Sequence, residues 1–266
     1  MFNKIEKVLW NRRIGSSYCH MGLTCAKEYK HAKSGQFVMI GMVSQKTPLL
    51  RRPFSIHNLI YANGSVKGIE ILYKIVGEST KNLSNAKEND GIKVLGPLGK
   101  GFYVPDNIRR IGIVAGGVGV APMLFLVSSL QAEGFDLSDS TLFLGGKNKA
   151  DLLCRKPFAD FGINVEVATD DGSEGKKGLV TDLLDLSFAK GKIFDILLAC
   201  GPVPMLKSVA KLSETHHISC QVSIETIMAC GMGVCLGCAV KSNDIAARYL
   251  HTCVDGPVFN SRIIKL

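Results

Sequence analysis

The sequence predicts an α/β plus all-β protein. An N-terminal antiparallel β-barrel is expected over residues 1–102, a doubly wound parallel-sheet domain over 103–225, and a small C-terminal subdomain over 226–266. Three observations carry this expectation. Up to Phe102, short segments of alternating polarity lie between turn residues, as in a small barrel. Beyond it, apolar runs that end in glycines alternate with helical segments, the pattern of an open α/β sheet. Finally, Cys230, Cys235, Cys238 and Cys253 crowd into one stretch near the end, while the other five of the nine cysteines are dispersed.

The totals suit this division. With 266 residues, 46% hydrophobic and 21% charged, the chain can bury a core in two domains and an appendage, and no stretch is polar enough for long disorder. Ile111 to Leu130 carries no charge over the length of a membrane span. It nevertheless contains Gly112, Gly116, Gly117, Gly119 and Pro122, which suits a buried strand, a tight turn and a helix, so no membrane insertion is expected. The start, MFNKIEKVLWNRRIG, lacks the apolar run of a secretory signal and alternates like a strand, which reads as cytoplasmic. An odd cysteine count without such a signal argues against a disulfide framework. Charge is uneven: residues 1–102 hold sixteen Lys and Arg against six Asp and Glu, within a net +9 for the chain. These basic residues are scattered singly or in pairs with no arginine-rich run, which suits a solvated face, an anionic cofactor or an acidic partner protein better than nucleic acid.

In the barrel region, Gly35–Gly41 and Gly68–Val76 read as strands. Two passages there carry chemistry. Leu50-Arg51-Arg52-Pro53-Phe54-Ser55-Ile56 sets a basic pair beside a rigid proline and a hydroxyl, able to hold a phosphate and contact a flat ring. Val76-Gly77-Glu78-Ser79-Thr80 is a glycine turn leading to hydroxyls, able to start a helix that receives an anion. A barrel corner and an ordinary helix cap would explain both equally well.

In the middle, Ile111 to Ala115 reads as a buried strand that breaks into Gly116-Gly117-Val118-Gly119 and then a helix through Met123 to Leu130. Glycines let a backbone approach a pyrophosphate, and the helix start presents free amides to it. Pro122 stands where a strict dinucleotide motif has its third glycine, but proline is tolerated in a first helical turn. Taken alone, the motif is weak. The surroundings strengthen it: Thr141–Gly146, Ile163–Ala168 and Phe194–Cys200 read as further strands, and Val180–Ala189 and Pro204–Glu214 as helices. The strand ends carry Asp170 and Cys200-Gly201-Pro202, where an α/β sheet binds ligands. A lone buried cysteine such as Cys200 is more often packing than chemistry.

The tail runs Cys230-x4-Cys235-x2-Cys238, with Cys253 after fourteen intervening residues. That spacing matches plant-type [2Fe–2S] ligation. Gly231, Gly233 and Gly237 allow the loop to wrap closely and turn its amides inward, while Met232, Val234 and Leu236 can face outward and shield a cluster. Zinc is the rival, but structural zinc sites usually pair two C-x2-C knuckles, which this spacing does not.

Together these passages resemble the ferredoxin–NADP reductase superfamily. RRPFS is similar to its flavin signature, GGVGVAP to its nucleotide loop and CGPVPM to its nicotinamide-side loop. Met228–Val240, Cys253–Phe259, and Thr169–Ser173 with Lys177–Leu184 further resemble the electron transfer subunits of type B dihydroorotate dehydrogenases. The resemblance implies FAD held by Arg52, Pro53, Phe54, Ser55, Leu72, Tyr73, Lys74, Ser79 and Thr80. It implies a [2Fe–2S] cluster on Cys230, Cys235, Cys238 and Cys253, and NAD at Gly116, Gly117, Gly119, Asp170, Cys200, Gly201 and Pro202. It also implies a separate FMN-containing catalytic subunit that oxidises dihydroorotate, in a heterotetramer of two of each. No general base for that oxidation is expected in this chain. Ser79 stands where many such proteins have glycine, which puts the phosphate contacts there in question. The small subunit of an NAD(P)H-dependent ferredoxin oxidoreductase or of a sulfide dehydrogenase shares the same layout. An iron–sulfur sensor that binds DNA through the basic face is the reading outside enzymes. Lys147 and Lys149 follow the second nucleotide strand, where they would meet a 2′-phosphate or simply occupy an exposed loop.

Overall fold

The computed structural model describes residues 1–25, 27–43, 49–243 and 248–266. The first sheet contains β1 (Phe2–Ile14), β2 (Tyr18–Thr24), β3 (Phe37–Met42), β4 (Arg52–Ser55), β5 (Asn58–Ala62), β6 (Ser65–Lys74) and β7 (Gly91–Leu98), with helix α1 (Glu78–Ser84) before the last strand. Its order is β4-β3-β7-β1-β2-β6-β5 and every neighbouring pair is antiparallel. The sheet curls until β4 lies against β6, where Phe54 and Tyr73 meet edge-on with ring centroids 5.6 Å apart. Alternation explains the curl. Met21, Leu23, Val38, Ile40, Ile69 and Ile71 all point into one buried core, and their sequence neighbours face outward or toward other elements. Helix α1 is tied to this barrel through Asn11, whose amide donates to the carbonyls of Leu83 (2.9 Å) and Ala86 (3.1 Å).

The second sheet follows with β8 (Ile111–Gly116), α2 (Ala121–Ala132), β9 (Thr141–Gly146), α3 (Arg155–Asp160), β10 (Asn164–Thr169), β11 (Lys176–Lys177), α4 (Val180–Ala189), β12 (Ile196–Cys200), α5 (Val203–Thr215) and β13 (Ser219–Ser223). These strands are parallel, in the order β11-β10-β9-β8-β12-β13. Period-2 alternation fills both faces. Ile113, Ala115, Leu142, Leu144 and Leu198 join the core under α2 and α3. Val114, Phe143, Leu197 and Ala199 join the core under α4 and α5. The order of strands reverses direction between β8 and β12, and this switch is where such sheets open a cleft.

The tail adds a two-stranded ribbon, β14 (Ala239–Lys241) with β15 (Tyr249–His251), and a last strand, β16 (Val258–Asn260). β16 returns antiparallel to the edge of β13, so the cysteine-rich segment is anchored to the nucleotide sheet at both its ends. Helix α2 resolves the uncharged stretch from Ile111 to Leu130. It is buried on nearly every side because the sheet covers one face and the barrel the other, with Phe125 reaching the barrel core. No helix among the described residues is long and apolar enough to cross a membrane.

Two cofactor cavities and a candidate metal centre

Two cavities concern the site, and the larger of this pair, about 780 Å³, lies between the barrel and the nucleotide sheet. Arg52, Pro53, Phe54 and Ser55 of β4, Leu72, Tyr73 and Lys74 of β6, and Ser79 and Thr80 of α1 all line it. Each sequence-predicted flavin residue is therefore brought to one place. The guanidinium of Arg52 is braced by donating to the carbonyls of Leu50 (2.9 Å) and Arg51 (3.3 Å). Thr80 differs from expectation in role. Its hydroxyl accepts from the amides of Val76 (2.9 Å) and Gly77 (3.1 Å) and donates to the Gly77 carbonyl (3.0 Å), so it builds the turn. Ser79 makes none of these contacts and is the hydroxyl of the pair left for a ligand. Tyr73 donates to Asn11 (3.2 Å), and burial pushes its phenol well above the usual range, so it stays protonated.

The second cavity, about 450 Å³, opens at the switch point. Gly116, Gly117 and Gly119 line one wall, Gly201 and Pro202 another, and Asp170 stands at the end of β10. Gly119 sits so close to the β12 strand end that a Cβ there would run into the carbonyl of Cys200. Cys200 itself lines the larger cavity instead, and burial pushes its thiol up to about 12. Lys149 does not stand free for a 2′-phosphate. Its ammonium pairs with Glu174 at 3.2 Å, a carboxylate also held by Arg155 at 2.8 Å.

Lys74, Val118 and Glu225 line both cavities and so mark where they meet. Sequence reasoning missed Glu225, Tyr18 and Asp151. The cleft around Glu225 pushes its carboxyl above the usual range by desolvation, although the side chain keeps exposed surface. Tyr18 donates to Asp151 at 2.5 Å, and Lys74 lies 3.8 Å from the same oxygen, which pins the barrel to the loop after β9. For Glu225 the one signal is a polar residue just past the end of β13, which is common, and Tyr18 and Asp151 carry none.

The four tail cysteines converge below the larger cavity and form no disulfide. The Cys238 and Cys253 sulfurs lie 3.2 Å apart, and the Cys230 sulfur accepts the amides of Met232 and Cys235 at 3.4 Å each. Cys253 accepts the Gly233 amide at 3.2 Å. Burial raises the Cys230 thiol, but these amide bonds outweigh it and bring the group down to about 6. Burial and the neighbouring Cys238 push Cys253 up to about 12, so a bound cation is what would keep it a thiolate. Among the described residues no three of these sulfurs lie mutually within 4.8 Å, as ligands of a single tetrahedral ion would. Cys238 and Cys253 form one close sulfur pair, and the Cys235 amide meets the Cys230 sulfur, an arrangement that suits two irons bridged by sulfide. Gly231 adopts a left-handed φ of 72°, and a Cβ there would meet Met39 at 2.5 Å, so the loop lies flat on the barrel. Phe37 and Met228 line the larger cavity and pack in one apolar cluster with Cys238 and Cys253. One layer of side chains separates cavity from cysteines. Met232, Val234 and Leu236 face outward, as the spacing predicts.

A barrel and a parallel sheet with cavities meeting at the switch point define an oxidoreductase with the ferredoxin–NADP reductase type of fold. A structure described as an NADH-dependent reduced ferredoxin-NADP oxidoreductase, studied for flavin-based electron bifurcation, superposes with a TM-score of 0.84 at 29% identity, over 98% of this chain and 90% of that one. A ferredoxin NADP+ reductase from Neisseria gonorrhoeae shares the fold, with a TM-score of 0.65 at 17% identity over 80% of this chain and 91% of its own. Residues 113–211 match the oxidoreductase NAD-binding domain, and residues 225–265 match the iron-sulfur cluster binding domain of dihydroorotate dehydrogenase B. The dihydroorotate dehydrogenase B (NAD(+)) electron transfer subunit of Caldanaerobacter subterraneus subsp. tengcongensis is 40% identical over 95% of this chain and 94% of its own. That of Bacillus velezensis is 37% identical over 87% of each. The chain belongs to the family of electron transfer subunits of NAD(+)-dependent dihydroorotate dehydrogenase B.

Proposed function

We propose that this chain conveys to NAD+ the electrons released when an FMN-containing partner subunit oxidises dihydroorotate, in a heterotetramer of two of each. In this reading residues 1–102 hold FAD, 103–225 hold NAD, and 226–266 hold the [2Fe–2S] cluster. The observation that carries it is the line of sites: nucleotide cavity, shared wall at Lys74, Val118 and Glu225, larger cavity, then Phe37 and Met228 against the cysteines. When bound, a flavin supplies the exchange between two-electron chemistry at a nicotinamide and one-electron chemistry at iron.

The chain's own residues hold and orient. Arg52 offers charge to a phosphate, Pro53 and Phe54 offer a flat apolar edge, and the Tyr73 ring is fixed by Asn11. Ser55 and Ser79 offer hydroxyls, while Leu72 and Lys74 close the β6 side and Thr80 shapes the turn. The glycines 116, 117 and 119 admit a pyrophosphate beside α2, Gly201 and Pro202 flank the nicotinamide side, and Cys200 packs at the boundary. Asp170 and Lys147 both line the nucleotide cavity, and NAD as the acceptor rests on the family. Cys230 and Cys235 would hold one iron, and Cys238 and Cys253 the other. Ile227, Val234, Leu236 and Val254 leave an exposed apolar rim around the cysteines, which suits a partner docking over the cluster.

Co-purification with the partner tests the assignment. Dihydroorotate-dependent NAD+ reduction by the complex is expected. A complex that holds both flavins and the cluster yet lacks this activity would overturn the substrate while leaving the cofactors in place.

A further inference from the structure

Apart from both cavities, His20, His57 and Glu70 bring three ligand atoms to within 4.8 Å of one another on the barrel side that faces the nucleotide domain. They come from β2, from the link between β4 and β5, and from β6. The backbone sets their spacing: the His57 amide donates to the Glu70 carbonyl at 2.7 Å, and β2 pairs with β6 so that His20 and Glu70 lie diagonally across the ladder.

The side chains differ in their surroundings. His20 and Glu70 meet at 2.9 Å and are 28% and 19% exposed, an ordinary imidazole–carboxylate pair that leaves a path from solvent. His57 is 2% exposed. Its Nδ1 lies 2.6 Å from the carbonyl of Ala121, which can only accept, so Nδ1 carries the proton and Nε2 is left with a lone pair that accepts. That lone pair faces inward: the His20 ring stands edge-on at 5.4 Å between centroids, and the nearest polar contact of Nε2 is the Cys154 thiol at 3.9 Å, a weak donor. A surface ion pair accounts for His20 with Glu70, and the long Cys154 contact is the weak partner that holds the buried nitrogen of His57.

We propose that His20, His57 and Glu70 form a second metal site, which holds a zinc-class divalent ion through two imidazole nitrogens and one carboxylate oxygen. Two nitrogens and one carboxylate with an open fourth position are a zinc donor set. A metal-binding histidine almost always donates its other N–H to a carbonyl or carboxylate, and the Ala121 carbonyl already accepts the one on His57. Ligands about 2.0–2.1 Å from zinc stand roughly 3.3 Å from one another in a tetrahedron, so the present spacings of 2.9 Å to at most 4.8 Å close around an ion by small rotations. Cys154 borders the fourth position. Because Ala121 begins α2, the helix that follows the nucleotide loop, an ion here would brace that helix against three segments of the barrel.

The test uses the full-length chain with its flavin and cluster, equilibrated anaerobically with zinc sulfate and desalted. Metal analysis should give about one zinc per chain with iron unchanged, and zinc-edge X-ray absorption should show a nitrogen/oxygen shell near 2.0–2.1 Å without a dominant sulfur shell. His20→Ala and Glu70→Gln, both at partly exposed positions, should weaken zinc binding by more than about tenfold with flavin content unchanged, whereas Cys154→Ser should retain it. The exposed pair is chosen because His57→Gln alters the buried core as well as the site. A sulfur-only shell near 2.3 Å, which means zinc in the tail cysteines, overturns the proposal. So does wild-type affinity in both His20→Ala and Glu70→Gln, loss of zinc in Cys154→Ser alone, or no zinc retained by the wild type.

Discussion

A methyl group at Gly119 has nowhere to go but into the carbonyl of Cys200, and that carbonyl belongs to the neighbouring strand end, which cannot yield without opening the switch point. Gly119→Ala should therefore cost about 1–3 kcal/mol in chemical unfolding and raise KM for NAD about tenfold or more, with flavin content unchanged. The cysteines differ from one another in what their loss should do. Cys253→Ser removes one sulfur of a buried pair and should leave iron near zero, read by metal analysis, while the barrel and its flavin survive. His57 makes a separate prediction about acid. Burial lowers its imidazole to about 4, against 6.5 when the chain unfolds, and it is faced by His20 and Glu70 from the barrel and Cys154 from the nucleotide domain. Below pH 6.5 the unfolded chain takes up a proton that the folded chain refuses until about pH 4, so stability falls as pH falls through that window. Zinc-free protein should lose about 3 kcal/mol there from this group, and the slope should be shallower by that amount in His57→Gln when unfolding is followed against pH.

Elements were legible in the sequence wherever the signal was local. β9 at Thr141–Gly146 and α4 at Val180–Ala189 take the bounds that their periodicity and flanking turns indicate, and the glycine turn after β8 starts a helix despite Pro122. The expected residues that line the larger cavity fall in three short runs, and three of the four tail cysteines fall in one, which is why the sequence could group them. What escaped depends on contacts distant in the chain. β16 is three residues whose strand character comes only from pairing with β13. Tyr18, Lys74 and Asp151 lie on β2, on β6 and after β9, and nothing in their neighbours announces that they meet. The same holds for His20, His57 and Glu70. The Tyr18–Asp151–Lys74 contact is the latch between barrel and nucleotide sheet, and Asp151 also accepts the amide of Lys147 at 3.1 Å. Asp151→Ala leaves the buried Tyr18 hydroxyl unpaired and should cost about 1–3 kcal/mol. It should also raise KM for NADH several-fold without loss of flavin, which separates a loosened latch from a damaged barrel.

Across the whole molecule, the two sheets and the tail stack so that two cavities and four cysteines lie in sequence, each boundary one layer of side chains thick. The tail owes its position to anchors on both sides: Gly231 against Met39 of the barrel, and β16 on the edge of β13. Such a layout predicts communication within a single chain, with no partner present. Anaerobic mixing of the reconstituted chain with NADH, followed by rapid freezing and paramagnetic resonance, tests this most directly. Bleaching of the flavin followed by the signal of a reduced [2Fe–2S] cluster is the predicted result, with the signal absent in Cys253→Ser. A flavin that bleaches while the wild-type cluster stays oxidised would contradict the account.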